Sequence, residues 1–284
     1  MTNNNEIRPA NSDNLTIIEP KKGWIPVNLK EIWKYRGLLY FLTKRDIKVR
    51  YKQTVLGGLW AIIQPFFTMV VFTLFFGRLA KVPSDGIPYP IFVYAGLLPW
   101  TYFSNALAAS GNSLVGNANL ITKVYFPRII VPASAAMAGL VDFFVALSVL
   151  CIMMVYYNFI PSIGLLLFPF LLGLTFLCAV GAGLWLSALN VQYRDIRYII
   201  PFLIQLWMFV SPVIYPISMV DKKYQWLLAL NPMGGIIKAF RASLLGHMPI
   251  DWNLLGISSV IIFSMFFSGI YYFRRMEKTF ADVV

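Results

Sequence analysis

Five cations stand within nine positions, Lys44, Arg45, Lys48, Arg50 and Lys52, and the stretch RDIKVRYKQTVLGGLWAIIQP runs from them straight into apolar sequence carrying Gln64 and Pro65. Guanidinium and ammonium groups at this density attract anions, and beside an apolar run the anions within reach are lipid headgroups. Other chemistry is scarce. The sequence holds no GxxxxGK[ST] phosphate loop, no HExxH, no GxSxG and no CxxC pair, so no nucleotide-driven, metal-assisted or nucleophilic site is expected, and no metal ligand set. His247 is one imidazole with no carboxylate or cysteine beside it and reads as structural. Asp142, in AGLVDFFVALSV, is the one acid inside an apolar run. With no basic partner in the neighbouring runs it is expected to hydrogen-bond between helices rather than to carry protons. Cys151 and Cys178 lie in apolar runs as small hydrophobes.

Polar and aromatic side chains recur in two apolar runs. The first holds Trp60, Gln64, Pro65, Phe66, Phe67, Phe75 and Phe76; the second holds Gln205, Trp207, Phe209, Ser211, Pro212, Tyr215 and Pro216. Proline frees backbone carbonyls within a helix, and aromatic rings offer faces on which sugar C–H surfaces stack. An interfacial belt accounts for Phe75, Phe76 and Tyr215. Trp60, Gln64, Gln205 and Trp207 lie deeper.

The elements that must position these groups are membrane helices. Hydrophobic residues make up 58% of the 284, above the roughly 45–50% usual for globular proteins, and charged residues only 13%. The net charge of +12 is therefore read as contact with headgroups and cytoplasm, not with nucleic acid. Residues 1–20 show neither the basic start nor the apolar middle of a cleaved signal. Apolar runs long enough for a ~30 Å hydrocarbon core are expected at 55–77, 88–110, 129–157, 163–189, 198–220 and 252–273. They are continuous rather than alternating, which predicts six helices and not a barrel. With both termini on one face, that face carries eighteen of the lysines and arginines and the opposite face six (Arg78, Lys81, Lys222, Lys223, Lys238 and Arg241). The positive-inside rule then places both termini in the cytoplasm.

The remaining pieces divide the chain into a polar tail at 1–28, an interfacial segment at 29–54, the six-helix body at 55–273 and a cytoplasmic tail at 274–284. In LKEIWKYR, Leu29, Ile32 and Trp33 share one helical face and Lys30, Glu31 and Lys34 another, the pattern of an amphipathic helix ending near Gly37. A tether for the first span and a gate both fit it. The cytoplasmic loop around NLITKVYFPR accommodates a brief helix stopped by Pro127, or a plain turn. Between the last two spans, Asn231-Pro232 is a helix start and Gly246 a helix end, predicting short re-entrant helices in the outer leaflet.

Together, RDIKVRYKQTVLGGLWAIIQP, YAGLLPWTYFSNAL, NLITKVYFPR, LNVQYRDIRYIIPF, SPVIYP and NPMGGIIKAFR resemble the permease subunit of ATP-binding-cassette exporters for lipid-linked polysaccharides, the O-antigen and teichoic-acid branch, over about residues 29–275. The resemblance implies an all-α membrane protein with six transmembrane helices, an N-terminal interfacial gate helix, a cytoplasmic coupling helix and re-entrant outer helices. It implies two copies forming a channel in a bacterial inner (cytoplasmic) membrane, paired with two copies of a nucleotide-binding ATPase subunit that binds the ATP and magnesium, so that this chain holds no cofactor and is no enzyme. The substrate implied is an undecaprenyl-type lipid-linked glycan. Carried over by position, Arg45, Lys48, Arg50, Lys52 and Trp33 meet the lipid pyrophosphate at the gate. Trp60, Gln64, Phe67, Gln205, Trp207, Ser211 and Tyr215 line the channel, and Asn119, Leu120, Lys123, Val124, Tyr125, Phe126 and Arg128 contact the ATPase. Export of a small amphiphile or drug on the same fold, and a membrane-embedded glycosyltransferase or polymerase, are the alternatives.

Overall fold

The computed structural model describes residues 29–52, 57–161, 163–221, 223–246, 248–277 and 280. The polar tail 1–28, residues 53 and 54 of the interfacial segment, His247 and most of the tail past 277 lie outside the described residues. Every regular element among the described residues is helical.

Two short helices come first, α1 (Leu29–Lys34) and α2 (Arg36–Lys52), broken at Tyr35. The first helix thus ends at Lys34, close to the end near Gly37 that the sequence predicts, and a second helix starts at once, with Gly37 in its first turn, where an added Cβ would meet nothing within 4 Å. The first long apolar element runs from Gly57 to Leu79, a short 3-10 turn leading into α3 (Trp60–Phe72) and ending in a π-helical stretch at Thr73–Leu79. α4 (Tyr89–Gly116) and the brief α5 (Ala118–Lys123) follow, then α6 (Ile130–Tyr156) and α7 (Phe168–Gln192). α8 (Ile196–Val210) gives way at Ser211 to extended chain, and α9 (Gln225–Ala229) and α10 (Pro232–Leu245) precede α11 (Trp252–Met276).

Among the described residues four helical segments are long and apolar enough to cross a membrane: Gly57–Leu79, Ile130–Tyr156, Ile163–Gln192 and Trp252–Met276. The other two expected spans differ for physical reasons. α4 is 28 residues, about 40 Å at helical rise, but it sits at the centre of the bundle, so Ser110, Ser113 and Asn112 on it face protein rather than lipid. α8 has only 15 residues, roughly 22 Å, because the chain turns away at Ser211-Pro212.

α4 packs on α6, α7, α10, α3 and α8, and is the core around which the rest is built. Between helices in lipid the hydrophobic effect gives little, so close backbone approach and hydrogen bonds hold the bundle. At Gly269 of α11 an added Cβ would lie 2.4 Å from the Gly181 carbonyl oxygen of α7, so the two backbones touch. Asn190 of α7 donates to the Gly111 carbonyl at 2.9 Å and to Asn112 at 3.0 Å, and the Ser110 hydroxyl donates to the Pro132 carbonyl at 2.9 Å. α10 forms as its sequence predicts: Asn231 caps it by accepting from the Met233 N–H at 3.1 Å, Pro232 opens it, and Gly246 closes it at φ 68°.

Candidate functional site

A cavity of about 350 Å³ opens where the end of α2 meets α3, α4 and α6. Its walls mix ring and polar surface: Trp60, Gln64 and Pro65 from α3, Thr101, Tyr102 and Asn105 from α4, and Asp142 and Phe143 from α6. Proline at position 65 sits inside α3 and is buried, while Trp60 and Gln64 on the same helix are exposed. Gly139 brings the backbone of α6 against the Tyr102 ring, where an added Cβ would sit 3.4 Å away.

Arg50 and Tyr51, the adjacent residues at the end of α2, close this cavity. Arg50 Nη1 donates to Asp142 Oδ2 and the Tyr51 hydroxyl donates to Asp142 Oδ1, so each carboxylate oxygen has its own donor. Burial pushes the Tyr51 phenol well above its ordinary value, and the Asp142 hydrogen bond adds to that, so it stays a donor. Asp142 thus has a basic partner that a reading of the neighbouring spans alone does not offer. Its partner comes not from a neighbouring span but from the interfacial helix, 92 positions earlier. The rest of the basic run faces outward: Lys48 and Lys52 are exposed, Arg45 pairs with its neighbour Asp46 at 2.7 Å, and exposed Trp33 lies under the Arg36 guanidinium at 5.3 Å.

The expected channel residues divide. Trp60, Gln64 and Gln205 are exposed, and Phe67 is 60% exposed, its ring edge-on to exposed Phe66 at 6.0 Å. Trp207 and Ser211 instead turn inward onto Asn231. The Trp207 indole N–H donates to Asn231 Oδ1 at 2.9 Å and its ring meets Phe103 edge-on at 4.9 Å, while Asn231 Nδ2 donates to the Ser211 hydroxyl at 2.9 Å. The Tyr215 hydroxyl turns back to the Val210 carbonyl at 3.2 Å.

α5 exposes Asn119 and Lys123, the residues just after it, Val124 and Tyr125, are exposed as well, and Leu120 is half-buried. Phe126 is buried and anchors the segment. Arg128 is engaged with the end of the chain: its N–H donates to Glu277 Oε1 at 3.1 Å, its guanidinium donates to the Glu277 carbonyl, and it lies 5.9 Å over the Phe280 ring.

The family model for ABC-2 type transporters matches residues 37–245, which takes in the cavity, α5 and α10. The chain belongs to the ABC-2 type transporter family. It is 33% identical over 262 residues to the O-antigen export system permease protein RfbA of Myxococcus xanthus, covering 90% of this chain and 98% of that protein. To the RfbA of Klebsiella pneumoniae it is 27% identical, covering 87% and 95%. To the polysialic acid transport protein KpsM of Escherichia coli it is 22% identical, covering 82% and 91%. As an ABC-2 permease the chain is a transport subunit and not an enzyme, and ATP hydrolysis belongs to a separate subunit.

Within this permease, sequence reasoning missed Tyr51, Thr101, Tyr102 and Asn105 on the cavity wall, and Glu277 under the α5 segment. It also treated Arg241 only as one of the outer-face cations and did not see that the side chain is buried, 4% exposed. Its Nε, Nη1 and Nη2 donate to the carbonyls of Phe92, Pro212 and Val213 at 3.0, 2.7 and 2.6 Å, and the guanidinium lies 3.7 Å over the Phe92 ring. The signal was present: Arg241 sits inside GGIIKAFRASLL, where an intervening charge in apolar sequence implies a buried partner.

Proposed function

We propose that the chain is the permease of an ATP-driven exporter that moves an undecaprenyl-type lipid-linked polysaccharide across a bacterial inner membrane. The observation that carries this reading is the mixed ring-and-polar cavity at the end of α2, in a chain 33% identical to an O-antigen permease. A hydrated glycan cannot enter hydrocarbon unaided, since each unpaired polar group there costs several kcal/mol. Gln64, Asn105 and Thr101 offer hydrogen bonds and Trp60 a stacking face at its point of entry. Arg45, Lys48, Arg50 and Lys52 draw the carrier's phosphates to the same mouth.

Two copies complete the path. α3 buries only Pro65 and Met69, and α8 only Ile200, against their own protomer. Their open faces, with Trp60, Phe67 and Gln205, are the surfaces that a second copy covers to form a channel. Six spans cross the membrane, α4 and α8 completing the four apolar ones, with both termini in the cytoplasm. Two ATPase subunits bind ATP and magnesium and dock on Asn119, Lys123, Val124 and Tyr125. Phe126 and Arg128 hold that segment from behind, and Trp207, Ser211 and Tyr215 fix the outer end of α8 beside the path.

The test is transport by the reconstituted permease with its ATPase subunit, offered a lipid-linked polysaccharide or a fluorescent drug-like amphiphile. ATP-dependent glycan translocation that falls in Trp60→Ala and Gln64→Ala supports the reading. Translocation of the amphiphile alone overturns it in favour of a small-molecule exporter.

A further inference from the structure

α2 is held to the bundle at two places of different kinds. Near its start, Leu42 is buried at 2% exposure, with Leu38 and Leu39 packed beside it. At its end, Val49 is 64% exposed and Lys48 and Lys52 face solvent. There Arg50 and Tyr51 converge on the two oxygens of Asp142 in α6. Gly58 leaves room for this arrangement, since a Cβ there would stand 3.3 Å from the Tyr51 ring. A guanidinium and a phenol on two oxygens of one anionic group is also how a phosphate is gripped. Asp142 is 19% exposed and Arg50 36%, both on the cavity wall, so an anion reaching the cavity meets this pair directly.

We propose that Asp142 is a resident counter-anion occupying the place of a phosphate, and that a phosphate group entering the cavity displaces it from Arg50 and Tyr51 and frees the end of α2 from α6. The proposal rests on the reading of this mouth as the substrate's entrance, and gives that entrance a latch. The apolar anchor at Leu42 stays in place, so α2 swings at its end instead of detaching. The latch discriminates by charge: a neutral amphiphile offers nothing to replace the carboxylate and leaves the mouth closed. The pair is part-buried, so the displaced carboxylate has to be taken up by water in the cavity, and the entering anion must offer more than Asp142 does: a phosphate brings more charge and more acceptor oxygens to the same two donors.

The test is binding to the full permease in phosphatidylcholine nanodiscs, with polyprenyl diphosphate in the bilayer in one arm and inorganic pyrophosphate in solution in the other. Binding in the first arm alone identifies a lipid-borne phosphate; competition by the second identifies the phosphate group itself as sufficient. Either supports the site. Asp142→Asn removes the competitor and is expected to bind about fivefold tighter, ~1 kcal/mol at 1.4 kcal/mol per tenfold, and Arg50→Gln is expected to lose binding. Should the asparagine variant not fold, spin labels at Val49→Cys and Ser148→Cys in a Cys151→Ala, Cys178→Ala background report the same event with Asp142 and every phosphate-facing cation intact. Their separation is expected to lengthen when the diphosphate binds. If wild type binds neither probe, the phosphate mouth itself fails. If wild type binds, but Asp142→Asn binds no tighter or the label separation is unchanged at saturation, the latch fails and the mouth survives.

Discussion

Arg241 and Arg50 both sit on helices of the bundle, and they are satisfied in opposite ways. Arg241 is buried, with three of its nitrogens on three backbone carbonyls and a ring beneath it. Those carbonyls belong to Phe92 and to the Pro212-Val213 turn that ends α8, so the side chain ties three segments together. At Gly96 a Cβ would lie 2.4 Å from its guanidinium, which means α4 is shaped around it. Arg50 is part-exposed and reaches the Asp142 carboxylate on the cavity wall, the group that the proposed latch exchanges for a phosphate. A charge on backbone is scaffold, while a charge on an exchangeable side chain at a cavity is available for work.

The strongest way to break this contrast is Arg241→Ala. It strands buried carbonyls, and a loss of about 3–5 kcal/mol is expected, seen as absence of a monodisperse peak in detergent gel filtration. Arg241→Lys should rescue little, because one ammonium lacks the planar fork that serves separate acceptors. Asn231→Ala comes next. It removes the α10 cap and the partner of the Trp207 indole together, and a drop of ~2 kcal/mol is expected from thermal melting. A wild-type melting temperature in either variant would erase the distinction between scaffold and working charge.

Smaller effects sharpen it. Glu277→Ala removes the acceptor of the Arg128 N–H and leaves the bond from its guanidinium to the residue-277 carbonyl, and about 1 kcal/mol of stability should go, with less glycan moved per ATP hydrolysed; an unchanged ratio would separate this contact from coupling. Least of all is the surface pair Lys238–Asp251 at 2.8 Å. The Lys238 hydrogen bond holds the Asp251 carboxyl below its ordinary value, with the Leu254 N–H that it caps contributing next. A depressed carboxyl stabilises the fold above its unfolded value near ~4 and loses that contribution as pH falls through the folded one. Solvent screening limits it to well under ~1 kcal/mol, so melting measured from pH 6 down to pH 3 in Asp251→Asn should run only slightly flatter than in wild type.

Legibility followed the same divide. The long apolar runs, the Asn231-Pro232 start and the Gly246 stop could be read because each is a local rule: span length, capping and positive φ. The helix end near Gly37 was legible, α1 stopping at Lys34, but the second helix that follows at once was not, because tertiary contacts of Leu38, Leu39 and Leu42 hold it. α4 blurred as a span because its polar residues are paired across helices, which hydropathy does not register. The basic run and Gln64 were visible as candidates, but the partner that organises them was not: Arg50 and Asp142 are 92 positions apart, and no local pattern joins them. Trp207 and Ser211 looked like lining by composition and position, while the direction of each side chain is set by Asn231, twenty or more residues on.

The central claim is that the cavity closed by Arg50 admits a phosphate-bearing glycan. Its most direct measurement is ATP-dependent translocation of lipid-linked polysaccharide into inverted vesicles carrying the permease and its ATPase subunit, wild type beside Arg50→Gln. Wild type should move glycan, and the variant, assembled and melting within ~1 kcal/mol of wild type, should move it at least about tenfold more slowly, ~1.4 kcal/mol of barrier. Glycan moved at the same rate by both, or by neither, would contradict the account.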